Sequence, residues 1–156
     1  MPGDTGSALP DSPAQPGRIL ALDVGTKTIG LAISDPLRIT AQGLETIRRK
    51  NKRSDFEQLG KIVEQYTVVE LVVGYPVRMS GITGTQAEKM TQFADELHQR
   101  FQVPVHLWDE RLTSAQANRV LREAEISIRR RREAVDRLAA VLILQSFLDR
   151  RQVRGA

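Results

Sequence analysis

The chain contains no cysteine. Disulfides, thiolate-ligated zinc and thiol nucleophiles are therefore excluded. Aromatic residues make up only 4%, which argues against an extended platform for stacking nucleobases. There are two histidines. His98 falls in a polar helical segment and His106 inside a strand, and both read as structural. The longest unbroken apolar run is Leu138 to Leu144, far short of the roughly 20 residues that cross a bilayer. Residues 1–17 have neither a basic residue nor an apolar stretch, so they do not form a secretory signal. These absences together give the expectation of a cytoplasmic protein with no membrane partner.

What remains is one domain's worth of chain. It has 156 residues, 40% hydrophobic and 27% charged, a soluble globular profile long enough to bury its own core. Lys and Arg number 23 against 19 Asp and Glu, a net charge of +4, and 18 of the 23 are Arg. Residues 1–17 hold four of the seven prolines and read as a disordered tail. Their two Asp lower the total, so residues 18–156 carry +6. Such an excess fits a nucleic-acid partner, but also many ordinary proteins.

From Arg18 onward the periodicity is dense. Ile19 to Val24 and Ile29 to Ser34 are apolar runs joined by Gly25-Thr-Lys-Thr, which predicts a hairpin. Gly43 to Ile47 predicts a third, shorter strand. Ser54 with Glu57 reads as a capping box, followed by Phe56, Leu59, Ile62, Val63 and Tyr66 at helical spacing. Val68 to Val73 is β-branched and apolar and predicts a buried strand. Residues 75–84 contain Pro76, Gly81 and Gly84 and predict a loop. Thr85 with Glu88 opens a second helix, Val103 to Trp108 is a strand, and Thr113 with Gln116 caps a third helix. A last helix runs from about residue 133 to about residue 150. The order β-β-β-α-β-α-β-α-α predicts a mixed sheet, antiparallel early and parallel late.

Three acidic positions break these patterns. Asp23 interrupts a strand that is apolar on both faces, where a carboxylate is costly unless paired, hydrogen-bonded or bound to metal. Its alternative role is to cap the Gly25 turn. Asp109 and Glu110 follow the strand ending at Trp108, where open α/β sheets place ligands. Adjacent residues of an extended segment point opposite ways, so only one of the two faces a site, and a plain polar loop is the other reading. Asp136 heads a stripe completed by Ala140, Ile143 and Phe147. The helix dipole favours an acid in the first turn by only about 0.3–1 kcal/mol, which suits an exposed Asp better than one aimed inward. Carboxylates without Cys or His suit hard cations such as Mg²⁺ or Mn²⁺. Two such ions about 3.5–4 Å apart serve phosphodiester cleavage.

Three stretches carry a resemblance: LALDVGTKTIGLAISD at residues 20–35, VVGYPVRMSGITG at 72–84 leading to LWDERLTSAQA at 107–117, and AVDRLAAVLILQSFLD at 134–149. In this order they resemble the YqgF/RuvX family of bacterial proteins. The resemblance covers residues 18 to about 150. It implies an α/β ribonuclease H-like fold, with a five-stranded mixed sheet flanked by helices. It leaves residues 1–17 as the tail, 18–150 as a nuclease domain and 151–156 as a short basic C-terminal tail. It implies a divalent-metal nuclease, a hydrolase acting on ester bonds, that trims the 5′ end of pre-16S rRNA in ribosome biogenesis. The catalytic acids fall on Asp23, Glu110 and Asp136. Asp109 is a weaker fourth candidate for the metal, a pair of Mg²⁺ or Mn²⁺ ions. A ribosomal precursor particle is an implied partner, and monomer and homodimer both stay open.

Basic residues complete the reading. Residues 48–53 (RRKNKR) hold five cations in six positions, and Arg129, Arg130, Arg131 and Arg132 precede the helix bearing Asp136. Arg suits bidentate phosphate contact, and Lys27 and Arg111 adjoin the proposed acids. A charge run is otherwise a solvated loop. Three rivals stand beside this reading. One is Holliday-junction resolution, and one is a non-catalytic nucleic-acid-binding module. The third is an ATP-binding domain of the actin and sugar-kinase type, which needs a second lobe that this chain lacks.

Overall fold

The structure is a computed structural model that describes residues 17–25, 27–75, 84–109 and 129–155, with side chains described for 17–25, 27–74, 88–109 and 137–152. Its elements are β1 (Arg18–Val24), β2 (Thr28–Ser34), β3 (Ala41–Arg48), α1 (Lys52–Gln65), β4 (Val68–Tyr75), α2 (Gly84–Phe101), β5 (Val105–Asp109) and α3 (Arg129–Gly155). The five strands form one sheet in the order β3-β2-β1-β4-β5. β2 runs antiparallel to β1 and β3, while β4 runs parallel to β1 and β5. This is the five-stranded mixed sheet flanked by helices that the resemblance implied.

Burial explains the order. β1 and β2 are apolar on both faces and almost wholly buried, so they sit inside the sheet. β3 alternates in exposure and takes an edge. On one face Leu20, Leu22, Leu31 and Val73 pack with Phe56, Leu59 and Leu97 of α1 and α2. On the other, Ile19, Ala21, Ala32 and Val72 pack with Ala139, Ala140, Ile143, Leu144 and Leu148 of α3. Small residues on this second face let α3 lie close. A Cβ on Gly74 would sit 2.3 Å from Ile143 Cδ1, and one on Gly43 would sit 2.4 Å from Arg137 Cγ.

Several boundaries differ from the sequence reading. α1 is capped by Asn51, whose side chain accepts from the Ser54 amide at 2.8 Å. Ser54 is thus inside the helix, not its cap. α3 begins at Arg129 rather than near 133, so the four-Arg run lies in its first turn. It also continues to Gly155, and Arg151 is packed against the sheet rather than lying in a tail. Arg sustains a helix about as well as Leu, which lets α3 outrun its apolar stripe at both ends. Of the predicted tail at 1–17 all but Gly17 lies outside the described residues, as do positions 76–83 of the predicted loop at 75–84, whose ends Tyr75 and Gly84 belong to β4 and α2, and the helix capped by Thr113.

Candidate functional site

Strand directions gather the candidate residues at one end of the sheet. β1, β4 and β5 are parallel, and β3 shares their direction because both it and β1 oppose β2. The carboxyl ends of these four strands therefore lie together and carry Asp23, Tyr75, Asp109 and Arg48. Open α/β sheets place ligands outside that end.

Asp23 is 2% exposed and stands one residue before the end of the central strand. It shares the α3 face with Ile19 and Ala21. Its Cα partners on both neighbouring strands are glycines, Gly30 on β2 and Gly74 on β4. Neither adjacent strand sets a side chain directly opposite the acid in this cross-strand row, and the space over Gly74 is taken by Ile143 of α3. Trp108 extends this row on β5, opposite Gly74. Its indole meets Phe147 of α3 edge-on at 5.4 Å, and Arg150 lies 5.8 Å above the ring.

That contact fixes the parity of β5. Trp108 faces α3, so Asp109, the next residue, alternates to the opposite face from Asp23. The pair left open by the sequence is therefore split on the Asp109 side. Glu110 and Arg111 lie outside the described residues. Positions 129–132 and 136 lie on the α3 backbone, and their side chains are outside the described set. Downstream of 136 the predicted stripe does face the sheet: Ala140 and Ile143 are fully buried and Phe147 is 7% exposed. Among the described residues no three Asp, Glu or His side chains gather as a metal cluster.

The turn after Asp23 is anchored by the first basic segment. The Gly25 amide donates to Thr28 O at 2.9 Å and the Arg49 amide to Lys27 O at 2.8 Å. The Arg49 guanidinium donates to Gly25 O at 2.6 Å and pairs with Asp55 at 3.3 Å. Asp55, 2% exposed, also accepts from the Lys50 amide. Arg49 is thus a structural tie, while Lys27, Arg48, Lys50 and Arg53 are exposed around it.

The sequence reading passed over one acid. Glu70 interrupts β4 on the α3 face and is 4% exposed. Arg151 of α3 grips both its oxygens at 2.8 and 2.6 Å, and His106 Nε2 lies 2.5 Å away. Burial pushes its carboxyl upward, but the bonds from Arg151 and His106 outweigh that and hold it at about 2. Arg151 also lies 4.5 Å over the Phe147 ring. Glu70 carries the same signal as Asp23, an acid in an apolar strand, yet it pairs with Ile19 at the far end of β1. Its two partners, both partly exposed, complete a structural triad around the buried acid. His106 is structural, as expected, and so is His98, whose Nδ1 lies 2.9 Å from Val103 O.

Fold and site together define an α/β protein with a buried carboxylate at the carboxyl end of its central strand and a cationic rim beside it. A family model described as "RuvX: Holliday junction resolvase" matches residues 17–150. The chain belongs to the RuvX family, as the sequence resemblance implied. It is 61% identical over 137 residues to a protein of Koribacter versatilis named "Putative pre-16S rRNA nuclease", covering 88% of this chain and 90% of that one. A relative of the same name from Moorella thermoacetica is 56% identical over 133 residues, covering 85% and 95%. Among solved structures, Thermus thermophilus RuvC is similar at 13% identity and a TM-score of 0.48, covering 85% of this chain and 95% of that one. No helix among the described residues is long and apolar enough to cross a membrane.

Proposed function

We propose that the protein is a divalent-metal-dependent nuclease that processes the 5′ end of pre-16S rRNA. The observation that carries this reading is Asp23, a buried carboxylate with glycine on both sides at the ligand end of the sheet. The names of the closely similar relatives support the substrate.

A carboxylate is a hard oxygen donor, which fits Mg²⁺ or Mn²⁺ rather than a softer metal. When bound, a pair of such ions activates water and offsets charge on the leaving oxygen. Asp23 would hold both ions, with Glu110 and Asp136 completing the set. Asp109, on the opposite face from Asp23, is the weakest of the four acids proposed for the metal. Lys27, Arg111 and Arg129 to Arg132 would hold the phosphate backbone, which positions the substrate without reading its sequence.

The test compares the protein with its Asp23→Asn variant on precursor 16S RNA ends, a four-way DNA junction and plain duplex, each with Mg²⁺ or Mn²⁺. Cleavage of the RNA end by the unaltered protein, its loss on chelation and its loss in the variant at unchanged melting temperature are expected. Full metal-dependent activity in Asp23→Asn would overturn the assignment. The family description favours a second reading, junction resolution, which preferential symmetric cutting of the four-way junction would establish instead.

A further inference from the structure

Resting on the nuclease reading, we propose that the loop from β3 into α1 forms a second track for the substrate backbone, separate from the arginines of α3. The track consists of Lys27, Lys50 and Arg53, and it continues into the groove between α1 and α2 toward Arg100.

Four observations carry it. First, strand direction puts Arg48, the end of β3, at the same end of the sheet as Asp23, and Arg48 pairs with Thr28 beside Lys27. Second, the loop is held rigidly. Arg49 bonds Gly25 O and Lys27 O, which lie in the turn immediately after Asp23, and its guanidinium also pairs with Asp55. Third, two of the nearby acids are engaged: Asp55 by Arg49 and the Lys50 amide, and Glu96 by Lys52 at 3.0 Å. Lys27, Lys50, Arg53 and Arg100 are left exposed as positive charge. Fourth, an open groove between α1 and α2 takes up Arg53 and Arg100 from this set, lined also by Lys52, Phe56, Glu96 and Gln99. A loop whose backbone is already tied loses less freedom when a polyanion binds, so it favours phosphate contact more than a mobile run of the same composition.

The partner is the phosphodiester backbone of the strand being cut. β3 lies two strands from β1, about 10 Å across the sheet. A strand bound at Asp23 must therefore extend some nucleotides beyond the cleaved bond to reach Lys50 and Arg53. Engagement depends on length, which a role in overall charge does not predict.

The experiment uses two labelled RNAs sharing one cleavage site, a short one ending near it and a long one with a single-stranded extension. Cleavage is measured with Mg²⁺, and binding of the long RNA is titrated against salt without divalent ion. The variant is Lys50→Glu with Arg53→Glu. Its milder counterpart is Lys50→Gln with Arg53→Gln, and Lys61→Glu on the exposed side of α1 is the charge control. The long-to-short ratio of kcat/KM should fall about tenfold in the Glu pair and less in the Gln pair. The salt slope should shrink by about 1.4, the amount for two phosphates on a single strand. The Lys61→Glu control should keep the ratio of the unaltered protein. An unchanged ratio and slope in the double variants, or an equal loss in Lys61→Glu, would overturn the track while leaving the nuclease reading intact. If the unaltered protein binds the long RNA without cutting either RNA, and the Glu pair loses that binding, the nuclease reading fails and the track stands.

Discussion

Glu70 shows what a single buried charge does in this protein. Its carboxyl is held at about 2 against an ordinary value of 4.5. A folded value below the unfolded one means that ionised Glu70 stabilises the fold above pH 4.5. That contribution, about 3 kcal/mol by linkage, is lost as pH falls from there toward 2. Urea midpoints measured between pH 6 and pH 3 should therefore drop steeply on the acid side. In Glu70→Gln that limb should be flatter. At neutral pH Glu70→Gln should destabilise the protein by about 3–5 kcal/mol, because it leaves Arg151 buried without its counter-charge. Replacing both partners, Glu70→Met with Arg151→Met, should cost much less, since the buried pair is removed whole. A double variant as unstable as Glu70→Gln would show that the triad contributes more than mutual compensation.

The packing of α3 on the sheet is the element that brings the site together. Gly74 is the tightest point: a Cβ there would meet Ile143 Cδ1 at 2.3 Å and Cγ1 at 3.0 Å. Ile143 is fully buried and cannot swing away. Gly74→Ala should therefore push α3 off the strand beside Asp23, costing about 1–3 kcal/mol, with Ile143→Val restoring part of the melting temperature. Gly43→Ala meets the side chain of Arg137, an exposed and flexible residue, and should cost less. If the two glycine variants melt alike, close approach at Gly74 is not what sets the height of α3.

These elements were largely legible in the sequence, because apolar runs and their periods follow directly from which faces are buried. β1, β2 and the stripe Ala140, Ile143, Phe147 show this. The helix ends were not legible. The cap of α1 depends on Asn51 reaching the Ser54 amide, and Ser54 with Glu57 offers an equally good local pattern. The extra turns of α3 are rich in Arg, where no apolar period marks the helix. The same limit governs the acids. An acid in an apolar strand marks Asp23 and Glu70 alike, and no local pattern shows that Arg151 and His106, from distant elements, tie Glu70 into a structural triad at the other end of the sheet. The parity that turns Asp109 away from Asp23 likewise depends on Trp108 meeting Phe147 across the sheet.

At the scale of the whole molecule, the α3 face of the sheet is divided between two ends. Asp23 lies at the carboxyl end of β1, and Glu70 sits opposite Ile19, four residues back along that strand. Four residues of strand span about 13 Å, beyond the separation at which independent substitutions usually couple. The two ends also differ in character. Glu70 is bonded by Arg151 and His106, while the Cα partners of Asp23 are both glycines. The first arrangement stabilises the fold, and the second sets a buried acid at the end of the sheet where open α/β folds hold ligands. Asp23→Asn should accordingly remove cleavage without lowering the melting temperature. Glu70→Gln should lower stability while the folded fraction still cleaves. The double variant should show a change in unfolding free energy equal to the sum of the single changes within about 0.5 kcal/mol. Denaturant unfolding of the four proteins, with cleavage measured where each is folded, decides the matter. A coupling above about 1 kcal/mol would mean that α3 transmits strain between the triad and the site, and that the two ends cannot be altered independently.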